Sequence, residues 1–125
     1  MRFTSERPIF AQISELLAAR ILEGALGPGD RLPSARELAS SLEVNPNTAV
    51  RALQVLAEEG VARCERGTGY FVSDSGPSVA VAGRRKTFFE FELPALFRRM
   101  DELGVGIEEV AGRYASRGDH AELPN

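Results

Sequence analysis

The hydrophobic positions in the first half of the chain recur at helical intervals and predict three helices. The first covers residues 8–23, with Pro8 in its first turn, where a missing N–H costs nothing, and Gly24 at its end. Its apolar face consists of Ile9, Ile13, Leu16, Leu17 and Ile21. A glycine- and proline-rich turn at residues 27–30 then separates it from the next helix.

The second helix carries a sequence signal for its first turn. Ser34 and Glu37 have capping-box spacing, in which the serine hydroxyl accepts from the N–H three residues on. The glutamate carboxylate accepts in return from the serine N–H. We expect this short helix to bury Leu38 and Leu42.

The third helix is predicted to begin at Pro46, because Asn45 before it is a favoured capping residue. It runs to about Glu59, and Gly60 ends it. Its apolar stripe consists of Ala49, Val50, Leu53 and Leu56.

Beyond the third helix the pattern becomes short and extended. Residues 61–65 and 70–72 are two apolar-containing runs on either side of a loop, Arg66-Gly67-Thr68-Gly69, which predicts a β-hairpin. The composition of residues 73–77 is that of a linker.

The last third of the chain predicts two helices with more apolar surface than they can bury. One covers residues 88–103 and kinks at Pro94, with a start as early as Ser78 as an alternative that Gly83 disfavours, and the other covers residues 107–115. Two helices cannot easily enclose a small-molecule cavity, but they can pack against a second copy. The residues expected at that dimer interface are Phe89, Leu93, Leu96, Phe97, Met100 and Leu103.

This layout is a mostly α fold with a small β-hairpin. We expect residues 1–75 to form a winged helix-turn-helix DNA-binding domain and residues 76–125 a two-helix C-terminal segment for dimerisation or effector response. In such a fold the second helix of the pair presents its first turn to the major groove. Here that turn carries Asn47, Thr48 and Arg51, and the hairpin loop places Arg66 beside a flexible glycine.

The composition argues against several classes of protein. The 125 residues are 43% hydrophobic and 26% charged, as in a folded domain, and no apolar run is long enough to span a bilayer. The N-terminus lacks the apolar core of a secretory signal, and a lone cysteine, Cys64, fits the reducing cytoplasm. With one histidine we expect no zinc finger, no catalytic triad, no cofactor and no enzymatic activity.

The formal net charge of −3 keeps a second function open, because proteins that bind nucleic acid are more usually basic. The alternative is a winged helix that serves as a protein-interaction module. The local potential of the contacting face decides between the two, since salt screens charges more than about 8 Å away.

The ordered motifs of residues 8–72 resemble the GntR family of transcriptional regulators, and the length after them resembles its short YtrA-like branch. The resemblance rests on Pro8-Ile9-Phe10, Gln12-Ile13, Pro28-Gly29-Asp30-Arg31-Leu32-Pro33-Ser34-Ala35-Arg36-Glu37-Leu38-Ala39, Val44-Asn45-Pro46-Asn47-Thr48, Arg51-Ala52, Leu56, Glu59-Gly60 and Arg66-Gly67-Thr68-Gly69-Tyr70-Phe71-Val72. It implies a homodimeric repressor that reads a palindromic operator, with the effector unknown. The DNA contacts that it implies are Arg36, Asn47, Thr48, Arg51, Arg66 and Gly67.

Three positions depart from the family pattern. Glu43 stands where a glycine is common, Leu53 replaces a frequent tyrosine, and Val50 replaces an arginine of many longer members. The first departure places an acid in the turn between the second and third helices.

Several of these residues also have a purely structural explanation. Arg36 has Glu37 and Glu43 as possible ion-pair partners, and Asn45 is better explained as a cap than as a base reader. The loop at 66–69 is also explained as a simple hairpin turn. Three further groups are expected to be structural: the basic run Arg84-Arg85-Lys86 on a solvated helix, a half-buried Cys64, and Asp119, His120 and Glu122 in a solvated tail.

Overall fold

The computed structural model describes Phe3 and residues 7–121, with side chains as far as Gly118. In chain order the elements are α1 (Ile9–Leu22), α2 (Ala35–Leu42), α3 (Pro46–Glu58), β1 (Ala62–Glu65), β2 (Gly69–Val72), α4 (Gly76–Thr87), a π-helical turn (Phe88–Glu92), α5 (Leu93–Leu103) and α6 (Ile107–Ala121). None of these helices has the length and apolar character that crossing a membrane requires. The contacts divide the chain into two compact units, residues 1–84 and 85–125.

The first unit is built on α1, α2 and α3, as the hydrophobic pattern predicts. Its fully buried side chains include Ile13, Leu17, Leu32, Leu53, Leu56 and Val72. One polar residue joins two helices, because the buried Ser14 hydroxyl donates to the carbonyl of Ala52 at 2.9 Å. Leu53 is 1% exposed, which confirms the prediction that it packs in the core.

Two members of the predicted apolar faces were placed wrongly. Ile9 is 41% exposed because it is the first residue of α1, and Pro8 precedes the helix as its cap. Val50 is 37% exposed. At 100° per residue it lies about 110° from the centre of the buried face of α3, so it is at the edge of the stripe.

The hairpin pairs with a third segment that the sequence presented as a turn. β1 and β2 are antiparallel, with Cys64 opposite Tyr70. Arg31 forms a bridge to Phe71, and the Leu32 N–H donates to the Tyr70 carbonyl at 2.8 Å. The segment before α2 therefore borders β2 on the side away from β1.

The predicted linker at 73–77 is wrong in part, since α4 begins inside it. Gly76 is buried, and the Ser73 hydroxyl donates to the Gly60 carbonyl at 2.7 Å. Further along α4, Ala80 is only 4% exposed and belongs to the core of the first unit. Chain beyond Ser75 is therefore part of the compact unit that ends at Arg84.

A π-helical turn lies just before Pro94, the residue at which the sequence predicts a kink. The Leu93 N–H donates to the Phe88 carbonyl, five residues back, and α5 then starts with the proline in its first turn. Because proline has no N–H to continue an α-helical ladder, the wider turn accommodates it. Gly104 ends α5 with a φ of 69°.

Apolar side chains on the second unit are exposed to solvent. They are Phe88, Phe89, Phe91, Leu96, Phe97, Leu103, Ile107 and Tyr114. Of the residues predicted for a dimer interface, Met100 differs, because it is 9% exposed and is thus buried by its own chain. Leu93 is half-buried.

Candidate nucleic-acid interface

The first turn of α3 is open to solvent. The Asn45 side chain accepts a hydrogen bond from the Asn47 N–H at 2.8 Å, which confirms it as the cap of the helix. Pro46 and Asn47 are exposed and Thr48 is half-buried. The helix dipole and the remaining N–H groups of this turn favour an anion, so the turn is suited to a phosphate.

Arg51 lies one turn further along α3 and is directed toward the other end of the helix. Its Nη1 is 3.2 Å from a carboxylate oxygen of Glu58, and its guanidinium lies 5.4 Å from the centre of the Phe10 ring. Glu58 lies at the end of α3 away from Asn47, but the long Arg51 side chain reaches it. Both partners are largely exposed, and such pairs contribute less than about 1 kcal/mol, so a phosphate can displace the carboxylate.

Arg36 is exposed near the start of α2, beside the confirmed capping box. The Ser34 hydroxyl accepts from the Glu37 N–H at 3.0 Å, and the Ser34 N–H donates to the Glu37 carboxylate at 2.9 Å. The Ser34 N–H chiefly, then its hydroxyl and the charge of Arg31, hold the pKa of Glu37 below its usual value. Within the described residues Arg36 has no ion pair with Glu37 or Glu43, so its charge is available to a ligand.

The turn between α2 and α3 keeps a glycine-like conformation without a glycine. Glu43 has φ 55° and ψ 49°, and its N–H donates to the Ala39 carbonyl. It is the one described residue other than glycine with positive φ. A left-handed conformation costs a residue with a Cβ about 1–2 kcal/mol.

Glycine at this position is expected to stabilise the protein and to strengthen DNA binding. Glu43→Gly removes the backbone strain, and the net gain is about 0.5–1 kcal/mol after the entropy cost of glycine. It also removes an acid beside the interface. Thermal unfolding and duplex titration measure the two effects. Glu43→Ala is the matched control, because it removes the charge but keeps the strain; equal melting temperatures for the two variants contradict the strain argument.

The loop of the hairpin presents one arginine and a glycine at its tip. Arg66, Gly67 and Thr68 are exposed, and Gly67 has a φ of +79°. Behind the tip, Arg63 is ion-paired with Glu65 and stacks on Phe71 at 5.1 Å. Arg66 is therefore the cation that the tip itself offers.

Cys64 is exposed, which corrects the half-buried placement expected from the sequence. It lies opposite Tyr70 in a strand whose one buried residue is Ala62. Burial, and secondly the Cys64 thiol, raise the pKa of Tyr70.

The sequence also singled out the basic run at 84–86 and the group around His120. The basic run at 84–86 is exposed on α4, with Arg85 stacked 5.6 Å from the Phe89 ring centre. The described residues hold no cluster of three potential metal ligands. The group around His120 lies outside the described side chains.

Of the six predicted DNA contacts, Arg36, Asn47, Arg66 and Gly67 are exposed, Thr48 is half-buried, and Arg51 is exposed but ion-paired. Their roles in binding stay predictions. Arg31 belongs to the motif at residues 28–39 but was not among the predicted DNA contacts, and it lies against the hairpin at Gly69. Its motif indicates a turn, and only the tertiary pairing with β2 reveals its position.

Comparison with known proteins agrees with this geometry. The family model for bacterial regulatory proteins of the gntR family matches residues 10–72. The HTH-type transcriptional repressor YtrA of Bacillus subtilis is 35% identical over 106 residues, which cover 85% of this chain and 81% of that protein. The B. subtilis regulator YhcF is 34% identical over 87% of this chain and 88% of its own.

A solved structure extends the similarity to the whole fold. A GntR family transcriptional regulator from Listeria monocytogenes superposes with a TM-score of 0.73 at 30% identity, covering 91% of this chain and 98% of its own. The predicted winged helix-turn-helix with a helical C-terminal segment is thus confirmed.

Proposed function

This chain belongs to the GntR family of bacterial regulatory proteins, and we propose that it represses transcription as a homodimer bound to a palindromic operator. DNA binding and transcriptional regulation are the function of the family, which consists of regulators rather than enzymes. A DNA-bound regulator acts where the chromosome lies, so we place it in the cytoplasm. Repression, the dimer and the operator symmetry are the parts proposed here.

The observation that carries the DNA-reading role is the uncovered first turn of α3. Its cap is complete and Asn47 is exposed, which supports entry into a major groove, and Arg51 can join the contact once a phosphate displaces Glu58. We assign base and phosphate contacts there to Asn47, Thr48 and Arg51. Arg36 adds a phosphate or base contact from α2.

The hairpin tip is assigned to the neighbouring minor groove. Glycine at the tip allows the backbone to approach a surface closely, and Gly67 already has positive φ. Arg66 beside it suits the negative potential of a narrow minor groove.

Dimerisation is assigned to the second unit on the basis of its exposed apolar side chains. Phe89, Leu93, Leu96, Phe97 and Leu103 supply the interface, while Met100 supports it from within the chain. A two-fold dimer places two copies of α3 about 34 Å apart, one helical turn of DNA, which is why a palindrome is expected. The first unit then binds DNA and the second joins the copies.

The DNA interface predicts a specific salt dependence. Affinity for a duplex selected by the protein from a randomised pool should fall steeply with salt, because each neutralised phosphate releases counterions. Arg36→Ala should reduce the log–log slope by about one unit, and Arg66→Ala likewise. Fluorescence anisotropy at several salt concentrations measures the slope.

Arg113→Ala is the matched control for this series. Arg113 is an exposed arginine on α6 in the second unit, so its removal changes the net charge equally but should leave the slope unchanged. A slope near zero for the wild-type protein, or equal slopes for the Arg36 and Arg113 variants, contradicts the proposed interface.

A further inference from the structure

Arg31 is fixed on the hairpin by backbone pairing on both sides of it. The Val72 N–H donates to the Asp30 carbonyl at 2.9 Å, and the Leu32 N–H donates to the Tyr70 carbonyl at 2.8 Å. Arg31 itself bridges Phe71. These bonds give its Cα the rigidity of a strand residue, although the sequence around it is that of a turn.

The side chain of Arg31 lies along the hairpin toward its tip. A Cβ added at Gly69 would be 3.1 Å from Arg31 Nε and 3.4 Å from Nη2, so the guanidinium occupies the space that this glycine leaves open. Gly69 has a φ of +134°, which disfavours any other residue there. The guanidinium therefore packs against backbone in a defined position.

This position lies between two elements of the proposed DNA interface. Gly69 is two residues from Gly67 at the tip, a span of at most about 7 Å. On the other side, Arg31 precedes the Ser34 cap of α2 by three residues, and its charge acts on Glu37 in the first turn of that helix. A phosphate next to the tip is thus within reach of Arg31.

The guanidinium also has an open side. It borders a solvent-open cavity of about 400 Å³, whose other charged lining residues are Arg20 and Glu37. Glu37 is the acid of this cavity, and its carboxylate accepts a hydrogen bond from the Ser34 N–H. Within the described chain no carboxylate lies within ion-pair distance of Arg31, so its charge is available to an external anion.

We propose that Arg31 binds a phosphodiester of the operator backbone adjacent to the hairpin tip, and so fixes the angle at which the hairpin meets the DNA. The inference rests on the proposed function and adds a contact to it. The planar guanidinium offers two parallel N–H donors, the geometry that a phosphate accepts. Such a contact positions the protein and carries no base preference.

Arg31→Gln tests the contact with little change of shape. Its affinity for the selected duplex should be about tenfold weaker, and its salt slope smaller by about one unit, than those of the wild-type protein. The loss should be the same factor on an unrelated duplex, because phosphates do not differ between sequences. Arg31→Lys should keep the slope, since it retains the charge, and melting temperatures confirm that each variant is folded.

The outcomes separate this inference from the proposed function. If the wild-type protein binds no duplex, the proposed function fails. If the wild-type protein binds and Arg36→Ala lowers the slope while Arg31→Gln does not, only the contact of Arg31 is refuted. The last measurement is calorimetry with inorganic phosphate alone. If the wild-type protein binds free phosphate through Arg31, but Arg31→Gln leaves the salt slope of DNA binding unchanged, the site binds a small anion and the proposal is overturned.

Discussion

Replacing Gly76 by alanine is expected to lower the melting temperature by about 8 °C. The new Cβ would lie 2.5 Å from the Val61 carbonyl oxygen and 2.9 Å from Val72 Cγ1, both in the packed first unit. One contact is backbone and the other a fully buried side chain, so neither can move aside easily. Overpacking of this kind costs about 2–3 kcal/mol, which for a domain of this size corresponds to that shift.

Gly83→Ala is the matched control, because it makes the same substitution in the same helix. A Cβ at Gly83 meets nothing within 4 Å, and alanine is the better helix former, so the melting temperature should rise slightly. If α4 is anchored at Gly76, calorimetry should show a lower melting temperature for Gly76→Ala and a slightly higher one for Gly83→Ala than for the wild-type protein. Equal melting temperatures would mean that the start of α4 is a loosely attached linker, as its composition suggested.

The packing of Gly76 is a feature of the fold that could not be predicted from the sequence. The first three helices were predictable because their signals are local: the capping box at Ser34, the cap at Asn45 and the spacing of apolar residues. The residues at 73–77 also carry a local signal, that of a linker, but contacts with Val61 and Val72 override it. Those contacts depend on a fold that has already formed, so no window of sequence contains them.

In the candidate site, too, the features with a local sequence signal could be predicted and the others could not. Solvent exposure of Asn47 and Gly67 follows from a helix start and a hairpin tip, both of which are visible in the sequence. The ion pair of Arg51 with Glu58 joins residues seven positions apart, so the helical spacings of three and four do not indicate it. Two long side chains together span the rise of roughly 10 Å between them.

Arg31 was missed for a different reason. The sequence predicts a turn at residues 27–30 and no strand after it, and the pairing of Arg31 with β2 is seen only in the fold. Propensity in short extended segments depends on their neighbours more than on the residues themselves. Contacts of this kind are found only once the tertiary pairing is known.

The acidic net charge becomes less of an objection when the positions of the charges are considered. Glu58 and Glu65 are each paired with an arginine, and Glu37 is occupied by its capping role. The accessible side chains at the proposed interface are largely arginines and polar groups, with Glu43 as the acid among them. Because salt screens charges more than about 8 Å away, a phosphate at the interface is affected by the charges near it and little by the net charge of the whole chain.

The largest functional effect is expected from a full-length variant that cannot dimerise. Phe97 and Leu103 are 46% and 77% exposed, so glutamates at both positions should be tolerated by the folded monomer but not by an apolar interface. Met100 is a poorer target because it is buried within the chain. Sedimentation should show a monomer for Phe97→Glu/Leu103→Glu and a dimer for the wild-type protein.

Loss of the dimer should weaken binding to the palindromic duplex at least about 100-fold and leave binding to a single half-site unchanged. In a dimer the second half-site is bound intramolecularly, at an effective concentration that raises affinity by about 10²–10⁴. Val81→Glu is the control, because Val81 is an exposed apolar residue on α4 outside the proposed interface. A double variant that still sediments as a dimer places the interface elsewhere, and a monomer that binds the palindrome as tightly as the wild-type protein removes the reason for a two-fold operator.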